Sequence, residues 1–343
     1  MHKAALYKQL EDQRVQCLAC SHYCKIPEGR RGICGVRENQ KGKLYLLVYG
    51  YPAAVNLDPI EKKPLFHFLP GSRIFSLGTE GCNFKCAFCQ NWEISQKIKN
   101  SKFKNQNFSE GLEEWEPEKI VQYCVESKIP SIAYTYNEPA VFFEYAFDTA
   151  KLARAAGLQN VYVSNGYESS EALKKIAPFL DAINLDLKSF SAAFYQKICG
   201  GKLEVVLENI QRIKKLKIWQ EITTLVIPGQ NDSALELKQI AEFIANINPA
   251  IPWHVSRFFP AYQMLEVPPT SVTKLKEAYT IGKRAGLKYV YLGNLEDEVK
   301  SSTYCPDCGA LVIKRSSFGF EVENLLRRGN CPYCGREIEG VFN

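Results

Sequence analysis

The sequence predicts an α/β protein, a partial (β/α)6-type TIM barrel with a cysteine-rich segment at its start and a cysteine-rich module at its end. Three observations predict it. Between about residues 73 and 300, short β-rich runs alternate with amphipathic helical stretches, the pattern of a parallel sheet with crossover helices. Of the 13 cysteines, 11 fall into three groups of four, three and four, leaving only Cys124 and Cys199. The flanks, 1–50 and 301–343, lack long periodic segments and read as small modules that need a metal in place of a core.

Taken in order, the chain divides into an N-terminal cysteine-rich segment (1–50), a connector with little regular structure (51–72), the barrel (73–300) and a C-terminal ribbon (301–343). Gly and Pro in YGYPAAVNLDPIEKKPLFHFLPGS mark the connector. Strands are expected at Ile74–Gly78, Ser131–Tyr136, Val161–Ser164, Ala182–Leu187, Glu221–Ile227, Trp253–Phe258 and Tyr289–Leu292. Between them, PAVFFEYAFDTAKLARAAG repeats apolar residues at helical spacing and stops at Gly157, and LEVVLENIQRIKKL and SALELKQIAEFIAN behave likewise. Six or seven strands suit a partial barrel; periodicity alone leaves a flat doubly wound sheet open.

Composition narrows the function. At 46% hydrophobic residues the chain can bury a sizeable core, which excludes a disordered protein. The polar start MHKAALYKQLEDQRVQ lacks a signal-peptide profile, and no run approaches the ~18 apolar residues of a membrane span, so a cytoplasmic location without membrane contact is expected. Residues 1–50 hold nine Lys/Arg against four Asp/Glu, nearly the whole net charge of +6. That basic bias reads first as a solvated face, and secondarily as a contact for an acidic protein, RNA or an anionic substrate.

Directly after the first core strand, GTEGCNFKCAFCQNWEIS places Cys82, Cys86 and Cys89 in one loop with CxxxCxxC spacing. Three thiolates can hold three irons of a [4Fe-4S] cubane and leave the fourth without a nearby protein ligand, an opening through which a small molecule can be engaged. A zinc knuckle would favour CxxC pairs with a second pair downstream. The spacing, with Phe88 before the third cysteine, resembles the radical S-adenosylmethionine (SAM) superfamily. The resemblance implies that the methionyl group of SAM chelates the open iron and that one electron cleaves it to methionine and a 5′-deoxyadenosyl radical, which takes a hydrogen atom from a substrate. It also implies roles at the strand ends. In YTYNEP, Glu138 stands where the superfamily has a Gly-Gly-Glu turn at the methionyl ammonium, with Tyr136 and Asn137 in place of the glycines. Ser164, Asn165 and Gly166 fall on the ribose and methionyl side, and Asp186 and Lys188, two apart in NLDLKSF, project to the same side of a strand.

The set NGY, LDLK and TTLVIPGQND resembles glycyl-radical activating enzymes such as pyruvate formate-lyase activating enzyme, with two departures. Val163-Ser164-Asn165-Gly166 replaces that family's Asp-Thr-Asn-Gly, and Thr223 stands where it has arginine. Over nearly its whole length the chain is more similar to the radical SAM component of the AmmeMemoRadiSam system, through CLACSHYCKIPEGRRGICGVR, DPIEKKPLFHFLPGS, GCNFKCAFCQNWEISQ, NEPAVFFEYA, WHVSRFFPAY and the CPDCG and CPYCG pairs. This implies two partner proteins and an electron donor of flavodoxin or ferredoxin type.

The C-terminal pairs Cys305/Cys308 and Cys331/Cys334 favour tetrahedral zinc, with a rubredoxin-like iron site as the alternative. Cys17, Cys20, Cys24 and Cys34 offer four thiolates for zinc, the favoured reading, or for an auxiliary Fe-S cluster. His254 and Arg257 in WHVSRF are placed near the end of a strand, which makes His254 a catalytic candidate beside Asp186 and Lys188. Cys124 and the run Phe66-His67-Phe68 read as packing, and Cys199 as a surface thiol or one near the barrel mouth. The expectation is a radical SAM enzyme. A glycyl-radical activating enzyme is the near alternative, and a non-catalytic multi-zinc RNA-binding protein the rival from another class.

Overall fold

The computed structural model describes residues 1–96, 108–316 and 320–342. The chain forms two compact, discontinuous units: Met1–Leu57 with Ile74–Asp181 and Cys199–Gly201, and Asp58–Arg73 with Ala182–Ile198 and Lys202–Asn343. Among the described residues no helix is long and apolar enough to cross a membrane.

In the first unit the cysteine-rich start is more regular than its sequence suggests. Six short strands, β1 (His2–Lys3), β2 (Tyr7–Gln9), β3 (Val15–Cys17), β4 (Lys25–Ile26), β5 (Arg37–Gln40) and β6 (Lys43–Leu46), build two antiparallel sheets ordered β1-β6-β5 and β2-β3-β4. Val15, Ile26, Val36, Leu44 and Leu46 are buried, with Leu44 and Leu46 at alternate positions along β6. The connector, expected to be irregular, contains strand β7 (Ala54–Pro59). Next come β8 (Arg73–Gly78), β9 (Ser131–Tyr134) and β10 (Gln159–Ser164), with β8 and β10 both pairing in parallel with β9. Ile74–Gly78 and all of β9 are buried, as strands covered on both faces must be. Helices α1 (Trp92–Ser95), α2 (Pro117–Glu126), α3 (Phe143–Ala155) and α4 (Ser170–Ile176) accompany them. A 3-10 turn, Pro139–Phe142, precedes α3, and Gly157 at φ +80° ends it as the sequence predicts. One buried ion pair ties the start of the chain to α3: Arg37 donates to Glu144 Oε2 at 2.6 Å and to the Val141 carbonyl at 2.9 Å.

In the second unit β11 (Ala182–Asp186), β12 (Trp219–Val226), β13 (Trp253–Arg257) and β14 (Val290–Gly293) pair in parallel in chain order. Helices α5 (Leu203–Lys215), α6 (Ala234–Ile247) and α7 (Val272–Arg284) connect them. Val206, Ile210 and Ile213 form the buried stripe of α5, and Ser233 and Ser271 cap α6 and α7 by accepting from the Glu236 and Lys274 amides. All seven expected strands exist, with ends within two residues of expectation, and within each unit they pair in parallel in chain order, as the alternating pattern predicts.

Strands β15 (Thr303–Tyr304), β16 (Leu311–Ser316) and β17 (Glu321–Asn324) form the C-terminal ribbon. Val312, Ile313 and Ile338 of the ribbon share a core with Phe66, Tyr289 and Tyr291. The PLFHF run is a keystone of this unit. The Phe66 and His67 amides donate to the buried Glu221 carboxylate at 2.9 and 2.8 Å, and the Phe66 carbonyl accepts from Arg315 at 2.6 Å. The His67 ring lies 2.6 Å from both the Glu339 carbonyl and the Tyr291 hydroxyl. A neutral ring with Nδ1–H donating and Nε2 accepting satisfies both contacts.

Burial pushes His67 down to about 4 from its ordinary 6.5. Between those values the unfolded chain binds a proton that the folded chain does not, so this contribution to stability is present above pH 6.5 and is lost as pH falls toward 4. Glu61, pushed up to about 7 by burial, has the opposite sign: it adds stability as pH falls through its folded value. The His67 contribution is therefore read as a difference. Denaturant unfolding of wild type and His67→Gln is expected to differ in pH dependence by up to about 3 kcal/mol across this window. Parallel profiles would contradict a neutral buried ring.

Candidate active site and metal centres

Strand β8 delivers the CxxxCxxC loop at its carboxyl end, where parallel α/β folds place ligands. Cys82 and Cys86 are buried and Cys89 is half-buried, with its sulfur 3.2 Å from the Ser95 hydroxyl on α1. The loop is held from several sides. Lys85 N donates to the Cys199 carbonyl at 2.7 Å, and Gln96 Nε2 donates to the Phe84 carbonyl at 3.0 Å. Gly81, at φ +85°, approaches so closely that a Cβ there would lie 2.6 Å from the Cys34 carbonyl oxygen. Asn83 Oδ1 accepts from Asn165 Nδ2 at 2.7 Å, while Asn83 Nδ2 is buried with no hydrogen-bond partner among the described residues. Three thiols in one loop beside an unspent amide donor fit a [4Fe-4S] cluster, whose sulfurs accept such bonds. Phe88, on the same loop, is buried.

The Tyr136-Asn137-Glu138 turn follows β9. Tyr136 adopts φ +69°, the left-handed backbone that glycine takes without cost, so the conformation of a Gly-Gly-Glu turn is met by a strained tyrosine. Asn137 fastens this turn to the start of the cysteine loop: its Nδ2 donates to the Gly81 carbonyl at 2.7 Å and to Thr79 Oγ1 at 3.1 Å. Glu138 is fully buried. It accepts from Asn165 N at 2.8 Å, Ser164 Oγ at 3.1 Å and Ala140 N at 3.3 Å. Gly166 N donates to Ser164 Oγ at 2.9 Å, so Glu138 and Ser164-Asn165-Gly166 form one connected set at the ends of β9 and β10. Burial pushes the Glu138 carboxyl well above its ordinary value, with the carboxyl of Glu168 adding to the effect and the amide donors opposing it. Glu168 is raised by burial too. Two buried carboxyls in this state gain from an arriving cation.

The second unit carries the other strand-end candidates. Asp186 ends β11, and Lys188 donates to its Oδ2 at 2.6 Å, the side-to-side pairing expected from a spacing of two. Thr223 donates to Asn184 Oδ1 at 2.9 Å and is occupied within the sheet. His254 is the second residue of β13, near its amino end rather than its carboxyl end as the sequence suggested. There it is buried, with Nε2 2.7 Å from Glu221 Oε2 and its ring edge on Phe66. Arg257, the last residue of the strand, donates to the Thr270 carbonyl at 2.8 Å. Cys199 is fully buried rather than on the surface, and its carbonyl serves the cysteine loop in the first unit. Cys124 is buried on α2, as expected of packing.

The ribbon cysteines converge. Their four sulfurs lie within 4.8 Å of one another, with contacts of 3.6 Å (Cys305–Cys334) and 3.7 Å (Cys308–Cys331). A tetrahedral zinc with Zn–S of about 2.3 Å puts sulfurs ~3.8 Å apart, so the residues fit such a metal. The two knuckles repeat one geometry: Gly309 N donates to the Cys305 carbonyl and Gly335 N to that of Cys331, both at 3.0 Å, with both glycines at positive φ. Cys17, Cys20, Cys24 and Cys34 line a single pocket in the first unit.

Residues 76–244 match the family described as the radical SAM superfamily. The chain is 42% identical to the uncharacterized protein MJ0808 of Methanocaldococcus jannaschii over 100% of both chains. It is 27% identical, over 63% of its own length and 77% of the relative's, to MJ1632 of the same organism, whose name is that of a glycyl-radical enzyme activating enzyme. A crystallised domain of pyruvate-formate lyase-activating enzyme from Bacteroides vulgatus aligns at 22% identity and a TM-score of 0.42, covering 47% of this chain and 98% of that domain.

Proposed function

The chain belongs to the radical SAM superfamily, and on that premise we propose that it cleaves SAM reductively and abstracts hydrogen from a substrate presented with partner proteins of the AmmeMemoRadiSam system. A [4Fe-4S] cluster with SAM supplies one-electron cleavage of the sulfonium and a carbon radical able to take a hydrogen atom. Cys82, Cys86 and Cys89 hold the cluster, and Phe88 packs beside SAM. Glu138 receives the methionyl ammonium, with Asn137 holding its turn against the loop. Ser164, Asn165 and Gly166 contact the ribose and methionyl side. Asp186 and Lys188 act as a charged pair toward ribose or substrate. The ribbon takes zinc, and a flavodoxin- or ferredoxin-type carrier supplies electrons. The observation that carries the reading is the connected set in the first unit: a three-cysteine loop whose Gly81 and Asn83 are tied to Asn137 and Asn165, both beside Glu138. The name of MJ1632 favours a second reading, in which the substrate is a glycine of a partner enzyme. A non-catalytic RNA-binding protein is set aside by the superfamily match.

Glu138 offers the test. A carboxylate against the methionyl ammonium contributes ~1.5–3 kcal/mol, so Glu138→Gln is expected to weaken SAM binding roughly ten- to a hundredfold in anaerobic calorimetry. Asp186→Asn is expected to reduce 5′-deoxyadenosine formation more than affinity. Unchanged affinity and turnover in both variants would mean that SAM lies elsewhere.

A further inference from the structure

We propose that Asn231 is a positioning residue for SAM cleavage, gripping the backbone of Lys188 so that its ammonium stays on Asp186 at the carboxyl end of β11. The inference rests on the role given to that pair above. It begins in the turn of TTLVIPGQND, where Gly229 takes φ +71° and its amide donates to Asp232 Oδ1 at 3.0 Å. The turn folds the Asn231 side chain back toward the strands, and the residue is 1% exposed. Its Oδ1 accepts from the Ile227 amide at 2.7 Å, which fixes the rotation of the side-chain amide. Its Nδ2 then donates twice, to the Leu225 carbonyl of β12 at 2.8 Å and to the Lys188 carbonyl beyond β11 at 2.6 Å. One nitrogen thus joins the two strands past the Asp186–Thr223 pair, where their ladder ends. Ionised aspartate has no N–H to give and serine has a single donor, so the bridge needs a short amide.

Lys188 is held from the other side as well. Its amide donates to the hydroxyl of the fully buried Tyr195 at 3.0 Å. Both backbone polar groups of Lys188 are therefore engaged by side chains, one from the turn after β12 and one from seven residues downstream. The two residues that follow are fastened too: Glu236 accepts from the Ser189 hydroxyl and from the Phe190 amide, the latter at 2.9 Å. Glu236 stands three residues after the helix cap Ser233, where a capping glutamate turns back to the cap's own amide; here it reaches to the segment after β11 instead. A lysine has a long flexible stem, so its ammonium keeps one place only when its backbone does. The Lys188 side chain is 12% exposed and that of Asp186 32%, which leaves the carboxylate as the more accessible member of the pair. Losing the Asn231 bridge frees the Lys188 backbone, loosens the 2.6 Å contact between Nζ and Asp186 Oδ2, and misplaces the charges directed at ribose or substrate.

The test uses the anaerobically reconstituted full chain with SAM as the probe. Asn231→Asp keeps the shape of the side chain and the acceptor for the Ile227 amide but removes both donors. It is expected to slow 5′-deoxyadenosine formation about tenfold, while the SAM dissociation constant in calorimetry stays within about twofold of wild type. Tyr195→Phe removes the opposite contact and leaves the turn after β12 untouched, so it serves also where Asn231→Asp does not fold; it is expected to act in the same direction by about threefold. In a Lys188→Met background, where the ammonium is already gone, either change is expected to alter the rate less than about twofold, because residues that act as one unit are not additive. Losses of the same size in both backgrounds would overturn the inference and make Asn231 and Tyr195 residues of general stability. Wild-type rates in Asn231→Asp and Tyr195→Phe would overturn it too. Wild-type turnover in Lys188→Met itself would instead remove the role of the pair on which the inference rests.

Discussion

Replacing Cys82, Cys86 or Cys89 by alanine is expected to abolish SAM cleavage, a fall of at least about three orders of magnitude, or about 4 kcal/mol of lost barrier reduction. The size of the effect follows from ligand arithmetic. Three thiolates hold three irons, and the neighbouring groups provide no replacement: Ser95 Oγ beside Cys89 is a hydroxyl and Asn83 beside Cys82 an amide. The fold should survive the change, because the loop is also fastened by Asn137, Gln96 and the Cys199 carbonyl. Cys124→Ala is the control, since this buried cysteine on α2 lies outside the three metal sets and its loss should leave cleavage in place. The readouts are 5′-deoxyadenosine by chromatography and iron per chain. Full cleavage in any one loop variant would remove the mechanism.

Cys308→Ser or Cys334→Ser is expected to have the largest effect on stability. Both cysteines are exposed, so neither contributes much by packing, and the change acts through the metal. Structural zinc contributes folding energy outright, about 10–16 kcal/mol in isolated fingers. The ribbon does not unfold in isolation, because Val312, Ile313 and Ile338 share a core with Phe66, Tyr289 and Tyr291. Metal loss therefore exposes that core, and a fall in Tm of about 10 °C or more is expected, together with loss of about one zinc per chain. Release of iron with no zinc would identify a rubredoxin-like ribbon, and an unchanged Tm would show that the ribbon does not need its metal.

Much of this was readable from local pattern. The strands of the core announced themselves by β-rich runs between helical repeats, and Gly157 ended its helix where the sequence placed it. The cysteine loop was recognisable because its ligands lie within eight residues of one another. What could not be read depended on contacts distant in sequence. Asn83 and Asn137 look like ordinary loop residues until the fold brings them to Asn165 and Gly81. Tyr136 gives no sign in its side chain of a left-handed backbone. His254 was misplaced because an apolar run does not disclose which end of a strand a residue occupies; its partner Glu221 is 33 residues away. The connector hid a strand and a keystone because Gly and Pro at its edges masked β7, and because the partners of His67 lie more than 150 residues downstream.

The most direct test of the central claim is the reaction itself. Anaerobically reconstituted wild-type protein, reduced and incubated with SAM, is expected to form 5′-deoxyadenosine and methionine in equal amounts, whether or not a substrate is supplied. Methionine and 5′-deoxyadenosine no higher than in the Cys82→Ala protein, from wild type that retains its full complement of core iron and sulfide, would contradict it.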